Sequence, residues 1–391
     1  MSMHPGLQGG PIYFDYNATT PVDPQVATAM SPFLSTYFGN PSSAHSYGKA
    51  SREAIGIARE QVAQILGCAA DEIVFTGSGS ESDMLAIRGS VLALQKRGNH
   101  IITQVTEHPA ILNLCQALTR IHNIQVTYLP VDGYGRVNPA DVEAAINERT
   151  VLITVMHANN ETGTLQPIAE LAEIAHRHGV LLHTDASQSV GKIPTQVAEL
   201  GVDLLTVAGH KLYAPKGIGA LYVRRGLQLE PLIYGGGQEA GRRAGTENIA
   251  FMVALGAASV IAYEQLDSGQ SRMRLLRDRL QQCLESELPN LVHLNGHPAE
   301  RLPNTLNVSI DGVVGEEILA ATPEIAASTG SACHEGNTEP SSVLLAMGLA
   351  RERALGALRL TLGRWSLEDD VERAADALAR TVKRFKGYKF R

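Results

Sequence analysis

A lysine and an aspartate follow two predicted strands. Asp185 comes directly after the apolar run Val180–Thr184, and Lys211 follows the run Leu204–Val207 within Ala208-Gly209-His210-Lys211. Open parallel sheets hold ligands at the carboxyl ends of their strands. An aspartate there can bind a protonated ring nitrogen, although aspartate is also a common helix N-cap. Partial burial would lower the pKa of the lysine amine toward that of a useful base, whereas most lysines are solvated surface groups.

A turn of small residues between a predicted strand and helix suits an anion. In Thr76-Gly77-Ser78-Gly79-Ser80-Glu81 the main-chain N–H groups and the helix N-terminus could bind a phosphate, and a plain turn with a serine N-cap explains the pattern equally well. The turn is neither G-x-G-x-x-G nor a Walker loop, which argues against dinucleotides and nucleoside triphosphates. Together with Asp185 and Lys211 it predicts a pyridoxal phosphate site. Lys211 would form the Schiff base, and Asp185 would keep the ring nitrogen protonated.

These residues require an α/β scaffold with a mostly parallel sheet. Runs rich in β-branched residues alternate with segments of helical period, such as Ser82–Lys96 and Ile168–His178, which is typical of βαβ units. We therefore predict a large domain with a seven-stranded, mostly parallel sheet between helices. The predicted strands are Glu72–Thr76, His100–Val105, Ile124–Leu129, Val151–Met156, Val180–Thr184, Leu204–Val207 and Gly219–Val223.

The pattern changes beyond about residue 264. An amphipathic helix is predicted over Ser271–Leu288, and a strand follows in which Leu306, Val308 and Ile310 share one face. This indicates a smaller α+β domain. We predict an N-terminal arm associated with the small domain (1–16), a large domain (17–263) and a small C-terminal domain (264–391).

Composition narrows the class of protein. The 391 residues carry a formal net charge of -7, so a basic surface for nucleic acid is not expected. The most apolar stretch, Phe251–Tyr263, is shorter than the roughly 20 residues of a membrane helix and predicts a buried core helix. The N-terminus resembles neither a signal nor a transit peptide. We therefore expect a cytoplasmic protein with no membrane and no nucleic acid as partner.

The four cysteines form no C-x-x-C pair and no metal-ligand spacing, so reduced thiols and no metal site are expected. Cys68, Cys115 and Cys283 lie in helical or turn context. Cys333 lies in the small and polar segment Ala327–Ser341, which predicts an exposed loop where His334 could help maintain a thiolate. From the residues alone, a structural thiol at Cys333 is the commoner case.

Several ordered motifs make the resemblance specific. The chain resembles cysteine desulfurases and the related selenocysteine lyases, which are class V aminotransferase relatives of pyridoxal phosphate fold type I. The resemblance extends from about residue 12 to about residue 364. The motifs are Asp15-Tyr16-Asn17-Ala18-Thr19-Thr20-Pro21, Gly39-Asn40-Pro41-Ser42-Ser43, Thr106-Glu107-His108, Ala158-Asn159-Asn160-Glu161-Thr162-Gly163, His183-Thr184-Asp185-Ala186-Ser187-Gln188, Gly235-Gly236-Gly237-Gln238-Glu239 and Gly245-Thr246-Glu247-Asn248.

The resemblance implies a set of cofactor contacts. His108 would stack on the ring and serve in acid/base work, and Asn159 and Gln188 would hydrogen-bond the ring's phenolic oxygen. Thr246 would reach the phosphate from a second subunit, which implies a homodimer with shared active sites. The full set of implied cofactor-binding residues is Gly79, Ser80, His108, Asn159, Asp185, Gln188, His210, Lys211 and Thr246.

The resemblance also implies the reaction. Lys211, Cys333 and His108 would be catalytic, while Arg359 and Asn159 would bind the substrate. L-cysteine would lose its sulfur to Cys333, giving L-alanine and a persulfide for an acceptor protein in iron-sulfur cluster assembly or other sulfur trafficking. The alternatives are a selenocysteine lyase acting on L-selenocysteine and a noncatalytic assembly subunit. Ala208 departs from the family pattern, since many relatives have a serine there.

Overall fold

The strands form three sheets within residues 3–330 and 339–387, the part of the chain that the computed structural model describes. The strands are β1 Ile12–Tyr13, β2 Ile73–Thr76, β3 His100–Gln104, β4 Gln125–Leu129, β5 Thr150–Thr154, β6 Leu181–Asp185, β7 Leu204–Ala208, β8 Gly219–Val223, β9 Val292–Leu294, β10 Thr305–Ile310, β11 Ile325–Ala326 and β12 Ala357–Thr361. The predicted bounds of β2 to β8 agree with these to within two residues.

The α-helices of the described residues surround these sheets. They are α1 Pro24–Met30, α2 Pro32–Ser35, α3 Ser46–Leu66, α4 Gly79–Ala93, α5 Pro109–His122, α6 Pro139–Ala145, α7 Ile168–Arg177, α8 Val197–Leu200, α9 Ile249–Glu264, α10 Leu266–Glu287, α11 Gly315–Ala320, α12 Ser342–Ala346, α13 Arg351–Leu355 and α14 Glu368–Phe385.

The large sheet has seven strands in the order β2-β8-β7-β6-β5-β3-β4. Only β8 runs against its neighbours, so the sheet is mostly parallel, as predicted. Successive strand residues face opposite sides: Phe75 belongs to the apolar cluster that includes α3 and α9, and Val74 to the one that includes α4 and α5. Helices therefore cover both faces, and the sheet can hold a site only at its ends.

A second sheet lies in the C-terminal part of the chain. Its antiparallel strands have the order β12-β10-β9, and they pack with α10 and α14 around a separate apolar cluster. Strand β1 pairs in parallel with β11, and Ile12 and Phe14 belong to the same cluster. These contacts support the division into an arm, a large domain and a small domain, which remains a proposal.

Two helix starts differ from the prediction. Helix α4 begins at Gly79 instead of Ser82, because the Ser78 side chain accepts a hydrogen bond from the N–H of Glu81 and caps the helix there. Helix α10 begins at Leu266 instead of Ser271, and Gln265 precedes it without a side-chain cap. The missing cap removed the sequence signal for the start of α10.

Within the described residues no single helix has both the length and the hydropathy that a membrane span needs. Helices α9 and α10 meet them only as a pair, and they are bent by 72° at their junction. Helix α9 is largely buried in the core, as its residues Met252, Leu255 and Ile261 show.

Candidate active site

The carboxyl ends of the parallel strands open onto a cavity of about 380 Å³. Strands β2, β6 and β7 lead directly into its walls, and the small domain supplies β12. Residues far apart in sequence meet here because parallel strands end at the same edge of a sheet. Eight predicted site residues line the cavity: Gly79, Ser80, His108, Asp185, Gln188, His210, Lys211 and Arg359.

Lys211 ends the short 3-10 turn Gly209–Lys211 that follows β7. Its Nζ donates hydrogen bonds to the main-chain carbonyls of Asn17 and Ala18, the latter at 2.7 Å. Burial, and after it the charge of Arg359, lowers the pKa of Lys211 to about 8, while the charge of Asp185 opposes this shift. The amine is therefore more easily deprotonated than an exposed lysine, as a general base or nucleophile requires.

Asp185 is the last residue of β6 and is fixed by its own turn. One carboxylate oxygen accepts a hydrogen bond from the N–H of Ser187 at 2.9 Å. Asp83, on α4, lies in the same wall of the cavity. Burial, followed by the charge of Asp185, raises the pKa of Asp83 well above its ordinary value. Asp83 therefore favours its protonated form, and no second negative charge lies beside Asp185.

The first turn of α4 forms one end of the cavity, where helix N–H groups favour an anion. A Cβ on Gly79 would lie 3.0 Å from the Cβ of Ala208 and 3.2 Å from Oγ of Ser187, so this wall has no room for a side chain. His210 adds an imidazole held by Thr19 Oγ1 at 3.2 Å, and burial lowers its pKa to about 4. The His210 ring is therefore neutral at physiological pH.

Arg359 enters from β12 of the small domain and is 7% exposed. Its Nη2 donates to Asp15 at 2.9 Å and its Nη1 to the carbonyl of Asn160 at 3.3 Å. The Nε atom is buried without a partner among the described residues. A planar guanidinium with unused donors can bind a carboxylate through two parallel hydrogen bonds, and Arg359 lines the cavity.

Comparison with known proteins identifies the family. The model for Aminotransferase class-V matches residues 12–374. A protein named Cysteine desulfurase IscS from Dictyoglomus turgidum is 45% identical over 377 residues, which cover 96% of this chain and 95% of that protein. Another so named, from Methanosarcina thermophila, is 45% identical over 96% of this chain and 93% of its own length. This chain belongs to the cysteine desulfurase family.

Solved structures of similar proteins agree with this assignment and with the fold. One named NIFS-LIKE PROTEIN has a TM-score of 0.89 and 36% identity, covering 95% of this chain and 99% of its own. Another, titled SspA in complex with cysteine, has a TM-score of 0.79 and 39% identity over 91% of this chain and 99% of its own. The predicted family and the predicted α/β fold are therefore confirmed.

Two described residues that the family pattern implicates, Asn159 and Thr246, do not line the cavity. Asn159 lies behind the wall, where its Oδ1 accepts from the N–H groups of Glu161 and Thr162, both at 2.9 Å. Its Nδ2 donates to the carbonyl of Thr106 at 3.1 Å, so the side chain orders its own loop. Thr246 is exposed and away from this cavity, and a contact from a second subunit stays a prediction. Cys333 lies outside the described residues.

His108 has a structural role and also lines the cavity, while its stacking on the cofactor ring stays a prediction. It is the N-cap of α5, with Nδ1 accepting from the N–H of Ala110 at 3.1 Å, and it also lines the cavity. Burial lowers its pKa, and the nearby Asp185 charge opposes that shift. Burial raises the pKa of Cys68 and of Cys115 to about 12, which suits unreactive structural thiols.

Sequence reasoning gave no individual role to Asn17, although the family motif contains it. Asn17 is buried, and its carbonyl accepts from both Lys211 and Gln188. Its amide also bonds Thr305 Oγ1 of the small domain at 2.9 Å. The sequence signal for Asn17 was its position in a family motif, at the junction of the predicted arm and large domain. Only the fold shows which residues it contacts.

Proposed function

We propose that this protein removes sulfur from L-cysteine, giving L-alanine and a persulfide on Cys333. The observation that carries the proposal is one cavity that contains a lysine of lowered pKa, a carboxylate and an arginine with a spare donor. Curated relatives of nearly full coverage are named cysteine desulfurases, and one similar structure is titled as a complex with cysteine. The site geometry suits an amino acid, and the relatives indicate which one.

The cavity fits pyridoxal phosphate. Any Cβ would fill the wall at Gly79. Because glycine has none, the main-chain N–H groups there stay accessible to a phosphate. Asp185 would hydrogen-bond the ring nitrogen of the cofactor, and Gln188 would hydrogen-bond its ring oxygen. Lys211 would bind the cofactor covalently through its carbonyl carbon. When bound, the cofactor supplies an electron sink for charge that develops at the Cα of the substrate.

The residues of the chain position the substrate and move its protons. Arg359 would hold the carboxylate of the amino acid through two parallel hydrogen bonds. Lys211 would take the proton from Cα as a general base. His108 would face the ring from α5 and exchange protons with the substrate during the reaction.

Cys333 would take the sulfur as a nucleophile. Its thiolate attacks the substrate sulfur, an S–S bond forms, and the Cβ–S bond of the substrate breaks. The electron pair of the broken bond passes to the alanyl fragment, whose Cβ then takes up a proton to give the methyl group of L-alanine. The reaction uses no external oxidant or reductant, and it leaves a persulfide that an acceptor must reduce or accept.

We also propose a homodimer. Exposed aromatic and aliphatic side chains cluster around α2 and the start of α3, where Leu34, Phe38 and Tyr47 are 64%, 68% and 60% exposed. The rings of Phe38 and Tyr47 stack with centroids 5.4 Å apart. An apolar patch of this kind supports a protein interface. The sulfur acceptor and the cytoplasmic location stay predictions.

Product analysis with matched cysteine variants tests the function. The wild type should release L-alanine from L-cysteine and gain one sulfur atom on the peptide that contains Cys333. Cys333→Ala should abolish both, whereas Cys283→Ala should change neither. If L-selenocysteine gives alanine and L-cysteine does not, the protein is a selenocysteine lyase. If neither yields alanine, the noncatalytic alternative holds.

A further inference from the structure

A second lysine, Lys192, lies beside the cavity and takes no part in the proposed chemistry. It is partly buried, and its Nζ lies 2.9 Å from Oε1 of Gln188 and 3.2 Å from Oδ1 of Asn17. Burial lowers the pKa of its amine to about 7, and the charge of Lys211 contributes in the same direction. The neutral amine keeps two N–H groups, enough for both acceptors in either protonation state.

The contacts of Gln188 permit only one orientation of its amide. Its Nε2 lies 3.0 Å from the main-chain carbonyl of Asn17, which can only accept. Its Oε1 lies 2.9 Å from Lys192 Nζ, which donates. Turning the amide over would place two acceptors together at the Asn17 carbonyl and, when Lys192 is protonated, two donors together at its Nζ. A buried hydrogen-bond mismatch of that kind costs free energy, so Lys192 and the Asn17 carbonyl together select one orientation of the Gln188 amide.

The amide of Asn17 is fixed in the same way, so Lys192 has a stable acceptor. Nδ2 of Asn17 donates to the carbonyl of Asn160 at 3.2 Å and to Oγ1 of Thr305 at 2.9 Å. Its Oδ1 accepts from Nδ2 of Asn304 at 3.1 Å as well as from Lys192. The lysine therefore lies between two amide oxygens whose directions other groups have set.

This arrangement determines what Gln188 offers to the cavity. Gln188 lines the cavity, and one Nε2–H is used by the Asn17 carbonyl. No described residue accepts the second Nε2–H, which leaves a donor for a ligand oxygen. We propose that Lys192 is a positioning residue that holds Gln188 as a hydrogen-bond donor toward the ring oxygen of the cofactor. This rests on the proposed pyridoxal phosphate site.

Ligand affinity of the apoprotein tests the proposal without using turnover. The Kd is measured for pyridoxal 5′-phosphate and for 3-deoxypyridoxal 5′-phosphate, which lacks the ring oxygen. The wild type should prefer the natural ligand. Lys192→Met should reduce that preference by roughly tenfold to a hundredfold, the loss of one hydrogen bond to a charged acceptor, while the affinity for the analogue stays nearly constant.

Three further variants sharpen the test. Lys192→Arg, which still donates, should keep the preference, and so should Lys96→Met at an exposed lysine. Gln188→Glu keeps an acceptor for Lys192 but turns an oxygen toward the ring, so it should lose the preference even if Lys192→Met fails to fold. Equal weakening of both ligands by Lys192→Met would show a merely structural role and overturn the proposal. A wild type that binds neither ligand would overturn the proposed function as well.

Discussion

Arg359 is the residue through which the substrate carboxylate is expected to bind, and Arg359→Lys measures that role. The guanidinium already uses one N–H on Asp15 and another on the carbonyl of Asn160. Each Nη nitrogen keeps a second N–H and the buried Nε has no described partner, so donors remain for a carboxylate. A lysine at this position carries the charge but offers a single point of contact, and it cannot keep both existing bonds.

The size of the effect follows from the bonds that are lost. A hydrogen bond to a charged group contributes about 1.5–3 kcal/mol, and Arg359→Lys removes one or two of them at a buried position. The expected loss of transition-state stabilisation is therefore about 1.5–6 kcal/mol. This corresponds to a decrease in kcat/KM of roughly tenfold to a few ten-thousandfold. An exposed arginine, Arg351, gives the control variant Arg351→Lys, which should change kcat/KM little.

The assay compares alanine release from L-cysteine with that from L-cysteinamide, whose carboxylate is replaced by a neutral amide. The wild type should strongly prefer the acid, and Arg359→Lys should lose most of that preference. If Arg359→Lys kept full kcat/KM, or kept the preference for the acid, Arg359 would not be the carboxylate ligand.

Three other predictions concern the cofactor wall and a buried acid. Gly79→Ala should weaken pyridoxal phosphate binding by roughly tenfold or more in equilibrium dialysis, because its Cβ would meet Ala208 at 3.0 Å and Ser187 at 3.2 Å; unchanged affinity would refute a wall without spare room. Ala208→Ser should tighten binding by roughly tenfold through an added hydroxyl donor, and weaker binding would show that the hydroxyl clashes. Burial raises the pKa of Glu161 from 4.5 to about 7, although Ser341 donates to it at 2.5 Å. The contribution of Glu161 to stability should therefore be lost as pH rises from about 4.5 to 7. Glu161→Gln lacks this loss, so in chemical denaturation at pH 8 it should gain up to about 3 kcal/mol relative to wild type compared with pH 4.

Much of the scaffold could be predicted because its signals are local. Apolar runs bounded by glycine and polar residues predict β2 to β8 to within two residues, and they place Asp185 and Lys211 at strand ends. Parallel strands end at one edge, so the convergence of these two side chains followed from topology. The lowered pKa of Lys211 also followed from its place behind a buried strand.

The hydrogen-bond network around the cavity could not be predicted from the sequence. Asn17, Lys192 and Thr305 come from three distant segments, and their contacts depend on the packing of the small domain against the large one. Strand β10 illustrates the difficulty. Its alternation predicted one shared face for Leu306, Val308 and Ile310, but its polar residues are buried as well, because they hydrogen-bond other segments of the chain. Alternation distinguishes the two faces of a strand but does not reveal what covers the second face.

The measurement that tests the central claim most directly is covalent trapping of the cofactor. The protein is loaded with pyridoxal phosphate, reduced with borohydride, digested and mapped by tandem mass spectrometry. The mass of the reduced pyridoxyl phosphate should appear on the peptide that contains Lys211 and on no other. A label on Lys192 or on an exposed lysine such as Lys96, or no label at all, would contradict the assignment of the active site.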